Sequence, residues 1–423
     1  MADSVPAPPD RDQAYHRALD LLRQCASPHG FVASPGSGAN YQRVWARDSG
    51  VMGLAALMSG DDELVETLRR SLVTLAENQG PHGEIPSNVD AETGRVSYGG
   101  TAGRVDADLW FVIACGQYGR ISGDGGFLEW VVPVLERVRF LLGAWEFNSR
   151  GLLYVPMTGD WADEYLHHGY VLHDQLLYLQ AQRELAAIHQ AVHGGGDHRL
   201  QERIARLKHL IRDNYWFPGE DGQIPDDVYH RVIYDKAMQA ADRCGGRYWL
   251  PFFTPGGYGY RFDCLANVLA SLLDVADDPQ REEVDAYVGG QVQDPQTALV
   301  PAFHPVITPE DRDWEELKMT FSFSFKNAPY EYHNGGLWPM VNGFYAADLA
   351  RRGRSEAAGR CLDGVNAANA LPGEGGDWSF PEFVHGRDHT PGGQTRLGWS
   401  AAGTVIAHRA LEGAAVFGQG AIS

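Results

Sequence analysis

Twelve stretches of this 423-residue chain repeat apolar residues at three- and four-residue steps, and the links between them alternate short and long. The stretches run over 11–26, 48–59, 62–78, 105–121, 126–144, 169–190, 197–215, 262–274, 279–290, 336–351, 354–370 and 398–412. In DELVETLRRSLVTLAEN, for example, Leu64, Leu68, Leu72 and Leu75 form one stripe, while Glu63, Arg69 and Arg70 face away from it. SGDD, SGDG, HGGGDH and RGR make short turns; 27–47, 79–104, 145–168, 216–261, 291–335 and 371–397 are long. Antiparallel helices place every second link at the same end, so the six long links share one face. Connections of that length are uncommon unless they perform a function. The pattern predicts an all-α ring of six helical hairpins with the long loops as its rim. An open solenoid would carry a repeating sequence unit, and none is seen. A closed ring makes residues 1–423 one catalytic-sized domain, with 1–10 as an N-terminal tail.

Composition removes several classes of function. A net charge of -20 and an isoelectric point near 5.2 repel polyanions, which excludes nucleic acid as a partner. The five cysteines (Cys25, Cys115, Cys244, Cys264 and Cys361) form no CxxC pair, so neither a disulfide framework nor a zinc knuckle is expected. No basic-then-apolar leader opens the chain, and no apolar run approaches membrane-spanning length. A cytoplasmic protein without a membrane partner is expected; a homo-oligomer is left open.

The long links hold the unusual side chains. Trp45, Tyr98, Trp161, Trp216, Trp249, Trp314, Trp338 and Trp378 concentrate there, and aromatic faces beside carboxylates suit sugars. Arg47 and Asp48 stand at the entry to the second helical stretch, and Asp106 and Asp108 at the entry to the fourth, where helix capping is the competing explanation. GDWADEY groups Asp160, Asp163 and Glu164 around Trp161; burial and mutual repulsion can raise one such carboxyl, as a general acid requires. FPEF sets Glu382 between aromatic neighbours. His167, His168, His173 and Asp174 match no metal-binding spacing, and no GxSxG, phosphate loop or dinucleotide fingerprint occurs, so neither metal nor cofactor is expected.

Several segments, in order, resemble the alkaline/neutral invertase family of glycoside hydrolases, and more distantly the catalytic domain of glycogen-debranching enzymes. They are VWARDSGVMGLAAL, GRVDADLWFVIA, RFDCLANVLASL, KNAPYEYHNGGLWP, FPEF and QTRLGWSAAG, spread from about Tyr41 to Leu411. The resemblance implies an (α/α)6 barrel that hydrolyses an α-glucoside with inversion, sucrose being the leading substrate. Asp163, in Trp161-Ala162-Asp163, matches the family's general acid, and Glu382 matches its general base. By the same correspondence Arg47, Asp48, Asp106, His333, Asn334 and Trp338 line the sugar site, and Trp110, Trp161 and Trp399 stand in the matched segments as further lining residues. Where the family follows its acid with two arginines, this chain has Glu164 and Tyr165, so the leaving-group side differs. Glucosylglycerate, mannosylglycerate or an α-1,6-gluco-oligosaccharide are the alternative substrates; an epimerase, a phosphorylase and an inactive sugar-binding protein are the more distant readings. Asp160 and Glu164 are expected to raise Asp163, and arginines such as Arg387 to hold Glu382 down.

Overall fold

The computed structural model describes residues 8–36, 38, 40–218, 223–240, 247–320, 323–373 and 376–418. Most of the expected tail, residues 1–7, and Cys244 lie outside them. In chain order the helices are α1 (Arg11–Gln24), α2 (Ala46–Ser59), α3 (Asp62–Glu77), α4 (Val105–Ser122), α5 (Gly125–Trp145), α6 (Leu172–His193) and α7 (His198–Tyr215). They continue with α8 (Arg231–Gln239), α9 (Cys264–Leu272), α10 (Asp278–Tyr287), α11 (Trp314–Lys318), α12 (Pro339–Arg351), α13 (Ser355–Ala370) and α14 (Gly398–Leu411). All twelve expected helices form, with ends displaced by up to three residues. The short α8 and α11 lie within long loops and carry too few turns for a periodic signal. Among the described residues no helix is long and apolar enough to cross a membrane.

The packing closes a ring. Each of α2, α4, α6, α9, α12 and α14 packs on the next, and α14 returns to α2. The chain ends complete the sixth hairpin, because α1 packs on α14. This is an (α/α)6 barrel, and its closure rules out an open solenoid. Composition separates the two layers. Inner α2 buries every residue from Ala46 to Met58, whereas outer α3 buries only the Leu64, Leu68, Leu72 and Leu75 stripe and its close neighbours. A helix buried on all sides belongs inside; one with a single apolar stripe belongs on the outside.

The short turns are specified locally. Gly60 ends α2 in the left-handed region (φ 71°), and the Asp61 side chain then accepts from the Leu64 N–H to start α3. Asp124 and Asp197 cap α5 and α7 in the same way. The long loops are stapled by two- and three-residue strands. Tyr170–Val171 pairs with Phe252–Thr254, Phe262–Asp263 with Phe303–His304, and Phe383–Val384 with Pro391–Gly392. Strands this short show no alternation that a sequence reading could detect.

Candidate active site

Asp163 and Glu382 arrive from different hairpins and are positioned by different means. The loop bearing Asp163 docks on the N-terminus of α4. There the Val105 N–H donates to the Gly159 carbonyl at 2.8 Å, and Arg104 donates to the Thr158 carbonyl. Arg104 also reaches Asp163 Oδ2 at 2.9 Å, while the Tyr332 hydroxyl lies 3.2 Å and His333 Nε2 3.5 Å from Oδ1. Glu382 sits just before the Phe383–Val384 strand, whose hairpin folds Gly393 and Gln394 back over it. The Gln394 N–H donates to Glu382 Oε2 at 3.1 Å, and the Tyr41 hydroxyl stands 3.4 Å from the same oxygen. A Cβ on Gly393 would come within 2.4 Å of that oxygen, so only glycine admits the carboxylate here. Two anchors hold the segment: the Phe380 N–H on the Asn369 carbonyl (3.1 Å) and the Ser400 hydroxyl on the Pro381 carbonyl (2.7 Å).

Some backbone strain falls beside the two carboxyls, though not only there. Glu164 (φ 61°), Tyr332 (φ 47°), Trp378 (φ 65°) and Phe380 (φ 42°) occupy the left-handed region that bulky side chains avoid, as do Asn148, Asp274 and Ala298 elsewhere. Such conformations persist where surrounding structure enforces them, and they cluster at functional sites.

The electrostatics differ from the sequence-based expectation. Burial pushes Asp163 up, but Arg104, the His333 hydrogen bond and Arg47 outweigh it and hold the carboxyl well below the usual range. Burial pushes Glu382 up to about 7, the backbone N–H of Gln394 and Lys326 opposing, the negative charges of Asp163 and Asp48 adding to the rise. Asp160, expected to repel Asp163, instead meets His167 Nδ1 at 2.7 Å. Arg387, expected beside Glu382, donates to the Tyr330 hydroxyl at 2.5 Å. Two neighbouring carboxyls are thus pushed in opposite directions. They lie close in space: Tyr41, beside Glu382, and Tyr332, beside Asp163, both feel the two charges.

The other expected residues divide into groups. Arg47 pairs with buried Asp106 at 2.7 Å and lies 5.7 Å from the centre of the Trp399 ring. Asp48 is not an N-cap; it stands in the first turn of α2, where burial pushes it up to about 6 despite Arg47. Trp161, His333, Trp338 and Trp399 make a continuous aromatic wall. His333 stacks on Trp338 (5.0 Å between centres, 9° between planes), and Trp161 and Trp399 meet this pair edge-on. Asn334 has its side chain committed to the scaffold, accepting from the Ile307 N–H (2.7 Å) and donating to the Ile307 and Asn327 carbonyls (2.8 and 3.0 Å). Trp110 is buried between α2 and α4, where a Cβ on Gly50 would lie 3.0 Å from its ring. Of the eight loop aromatics, Trp161 and Trp338 join the wall beside Asp163, whereas Trp216 and Trp249 pack on each other 5.2 Å apart.

Arg104, Tyr41, Tyr332 and Gln394 escaped the sequence reading. Arg104 and Tyr332 lie inside the segments GRVDADLWF and YEYHNGG, close to expected site residues. Gln394 opens the segment QTRLGWSAAG, and Tyr41 stands three residues before VWARDSG, so each borders an expected stretch as well.

Comparison with known proteins bears on the family and the fold. The profile of the alkaline and neutral invertase family matches residues 20–413. Neutral/alkaline invertase 3 (chloroplastic) of Oryza sativa subsp. japonica is 24% identical over 96% of this chain and 75% of its own length. Alkaline/neutral invertase E (chloroplastic) of Arabidopsis thaliana is 25% identical over 92% and 70%. Among solved structures, the GH63 mannosylglycerate hydrolase of Thermus thermophilus in complex with Tris superposes with a TM-score of 0.65 at 14% identity, over 93% of this chain and 99% of that one. A rhamnosidase from Klebsiella oxytoca with rhamnose bound gives 0.60 at 15%, over 96% and 65%. At such identities the structural likeness concerns the fold. The family profile spans nearly the whole chain, and together with the closed barrel it establishes that this protein belongs to the alkaline and neutral invertase family of glycoside hydrolases.

Proposed function

We propose that the barrel acts as one catalytic unit that hydrolyses a small α-glycoside with inversion, Asp163 protonating the departing oxygen and Glu382 activating water. The observation that carries this is the approach of two carboxyls from separate long loops, each beside its own tyrosine. A base works best with a pKa near the operating pH, and Glu382 at about 7 meets that condition. Asp163 must hold a proton when the glycosidic oxygen departs, which requires that bound substrate loosen its 2.9 Å contact with Arg104. Relief from that positive charge lets burial raise the carboxyl. Trp161, Trp338 and Trp399 are buried and pack behind the site, and Arg47 and Asp48, at the mouth of α2, offer hydroxyl partners.

The aglycone is where this chain departs from its family. Glu164 has Lys326 3.8 Å from its carboxylate, and Tyr165 is buried, stacked on Phe303 at 4.5 Å. Neither presents a cation to a leaving group. The leaving-group side therefore differs from the family's, and the likeness to the barrel of the Thermus mannosylglycerate hydrolase supports a glycerate glycoside such as mannosylglycerate or glucosylglycerate as the first reading. Family membership supports sucrose as the second reading. A hydrolysis screen over sucrose, trehalose, isomaltose and the two glyceryl glycosides separates them. A tenfold preference in kcat/KM, about 1.4 kcal/mol, for sucrose would return the chain to plain invertase activity. Proton NMR of the anomeric region in the first minutes tests the stereochemistry. Inversion of an α-glycoside yields the β anomer first, whereas early α anomer removes the water-activating role of Glu382.

A further inference from the structure

Below the loop that carries Asp163, the barrel seals a second group of polar side chains. Asp160 comes from that loop, and His173 and Asp174 from the first turn of α6; all three are completely buried. Each contributes a potential ligand atom, and these atoms lie within 4.8 Å of one another. Neither ring nitrogen of His173 and neither carboxylate oxygen of Asp174 has a hydrogen-bond partner among the described residues. Asp160 is fixed from behind: Oδ1 accepts from the Ala162 N–H at 3.1 Å, and Oδ2 meets His167 Nδ1 at 2.7 Å. His167 Nε2 in turn faces Asp263 Oδ2 across 3.8 Å, and that oxygen also lacks a hydrogen bond.

Buried polar atoms without partners are rare in folded proteins, and here several converge on one point.

We propose that Asp160, His173 and Asp174 bind one divalent transition-metal cation, zinc fitting the donor set, which ties the Asp163 loop to the start of α6. One imidazole nitrogen and two carboxylate oxygens suit zinc, whose ligands sit about 2.0–2.2 Å away. The cluster therefore draws in slightly around the ion. The His167 contact to Asp160 is the outer hydrogen bond that orients a ligating carboxylate. The ion's role is to hold the loop, since Asp163 keeps its own partners in Arg104, Tyr332 and His333. The inference is independent of the acid and base roles proposed above. The expectation of no metal rested on sequence spacing; Asp160 stands thirteen positions before His173, and only the folded loop brings them together.

The test is elemental analysis of the full chain purified without chelator, by inductively coupled plasma mass spectrometry for zinc, manganese, iron, cobalt, nickel and calcium. About one equivalent of zinc per chain is expected, as for a structural site. His173→Gln and Asp174→Asn are each expected to lose it. Dialysis against a chelator lowers the wild-type Tm and added zinc restores it, while the variants respond to neither. A wild-type protein free of stoichiometric metal, with a Tm indifferent to chelator and zinc, overturns the proposal. So does Asp174→Asn with wild-type stability at neutral pH, because Asp174 would then be a neutral acid in the native protein. Metal retained at one equivalent by both variants overturns it as well, placing the ion elsewhere. Should the variants fail to fold, wild-type metal content and chelator response decide the matter alone.

Discussion

The two sides of the cleft use the same functional group and reach opposite charge preferences. On the Asp163 side a guanidinium 2.9 Å away, a histidine and a second arginine outweigh desolvation and keep the carboxyl ionised. On the Glu382 side the nearest partners are a backbone N–H and a phenol, neither of which carries positive charge, and desolvation prevails. Burial pushes both carboxyls upward, so burial by itself does not separate them. The separating feature is whether a fixed cation stands within direct reach. One arginine is enough to push two buried carboxyls of the same site in opposite directions.

Removing either carboxyl tests the comparison most severely. Asp163→Asn and Glu382→Gln are each expected to keep the fold by circular dichroism and to lower kcat by roughly 10²–10⁴-fold, the scale of acid–base groups. Near-normal turnover in a folded variant would strip that residue of its role.

The same Glu382→Gln variant is also expected to be more stable than wild type at high pH. Glu382 rises from 4.5 to about 7 on folding, so its protonated form is the one the fold favours. The stability it contributes is fully present below about pH 4.5 and is lost as pH rises through about 7. Above pH 7 the variant should gain up to about 3 kcal/mol over wild type, and below about pH 4.5 the two should converge. Urea denaturation at about pH 4 and about pH 8 measures this; equal stability differences at both would contradict a raised Glu382.

Arg104→Gln addresses the opposite side. Without the guanidinium, burial raises Asp163, and its carboxyl should titrate about one unit or more higher than in wild type. Carbon NMR of the labelled aspartates reads this shift directly. In the free enzyme the falling limb of kcat/KM against pH follows the higher of the two groups, so it stays near 7 with Glu382 in both proteins. An Asp163 that titrates as in wild type would show that Arg104 does not govern the acid.

The smallest effects are expected from the two phenols. Tyr332→Phe and Tyr41→Phe each remove one hydroxyl beside a carboxylate and should cost about 0.5–1.5 kcal/mol, a few-fold in kcat/KM. Tyr332 at 3.2 Å should matter more than Tyr41 at 3.4–3.5 Å; the reverse order would place the tighter contact on the base.

Both carboxyls are legible in the amino-acid sequence, because GDWADEY and FPEF stand out among long loops and match family segments. Their environment is not. Asp160, three positions before Asp163, is close enough in sequence to repel it, yet its side chain turns to His167. Arg387, five positions after Glu382, turns to Tyr330. The effective partners lie far along the chain: Arg104 is 59 residues from Asp163, and Tyr41 is 341 from Glu382. The loop tryptophans show the same limit, since residue type alone does not separate Trp161 in the wall from Trp249 packed on Trp216.

By itself the sequence determined the hairpins and the face on which function gathers. Apolar stripes such as Leu64 to Leu75, and turns such as Gly60-Asp61, act through neighbours within a few residues, so their physics is written locally. Only the tertiary structure decided which helices lie inside, that α14 closes on α2, and that Asp163 and Glu382 differ in proton affinity. Packing, desolvation and Coulomb interaction depend on distance through space, and the ring brings residues hundreds of positions apart into contact.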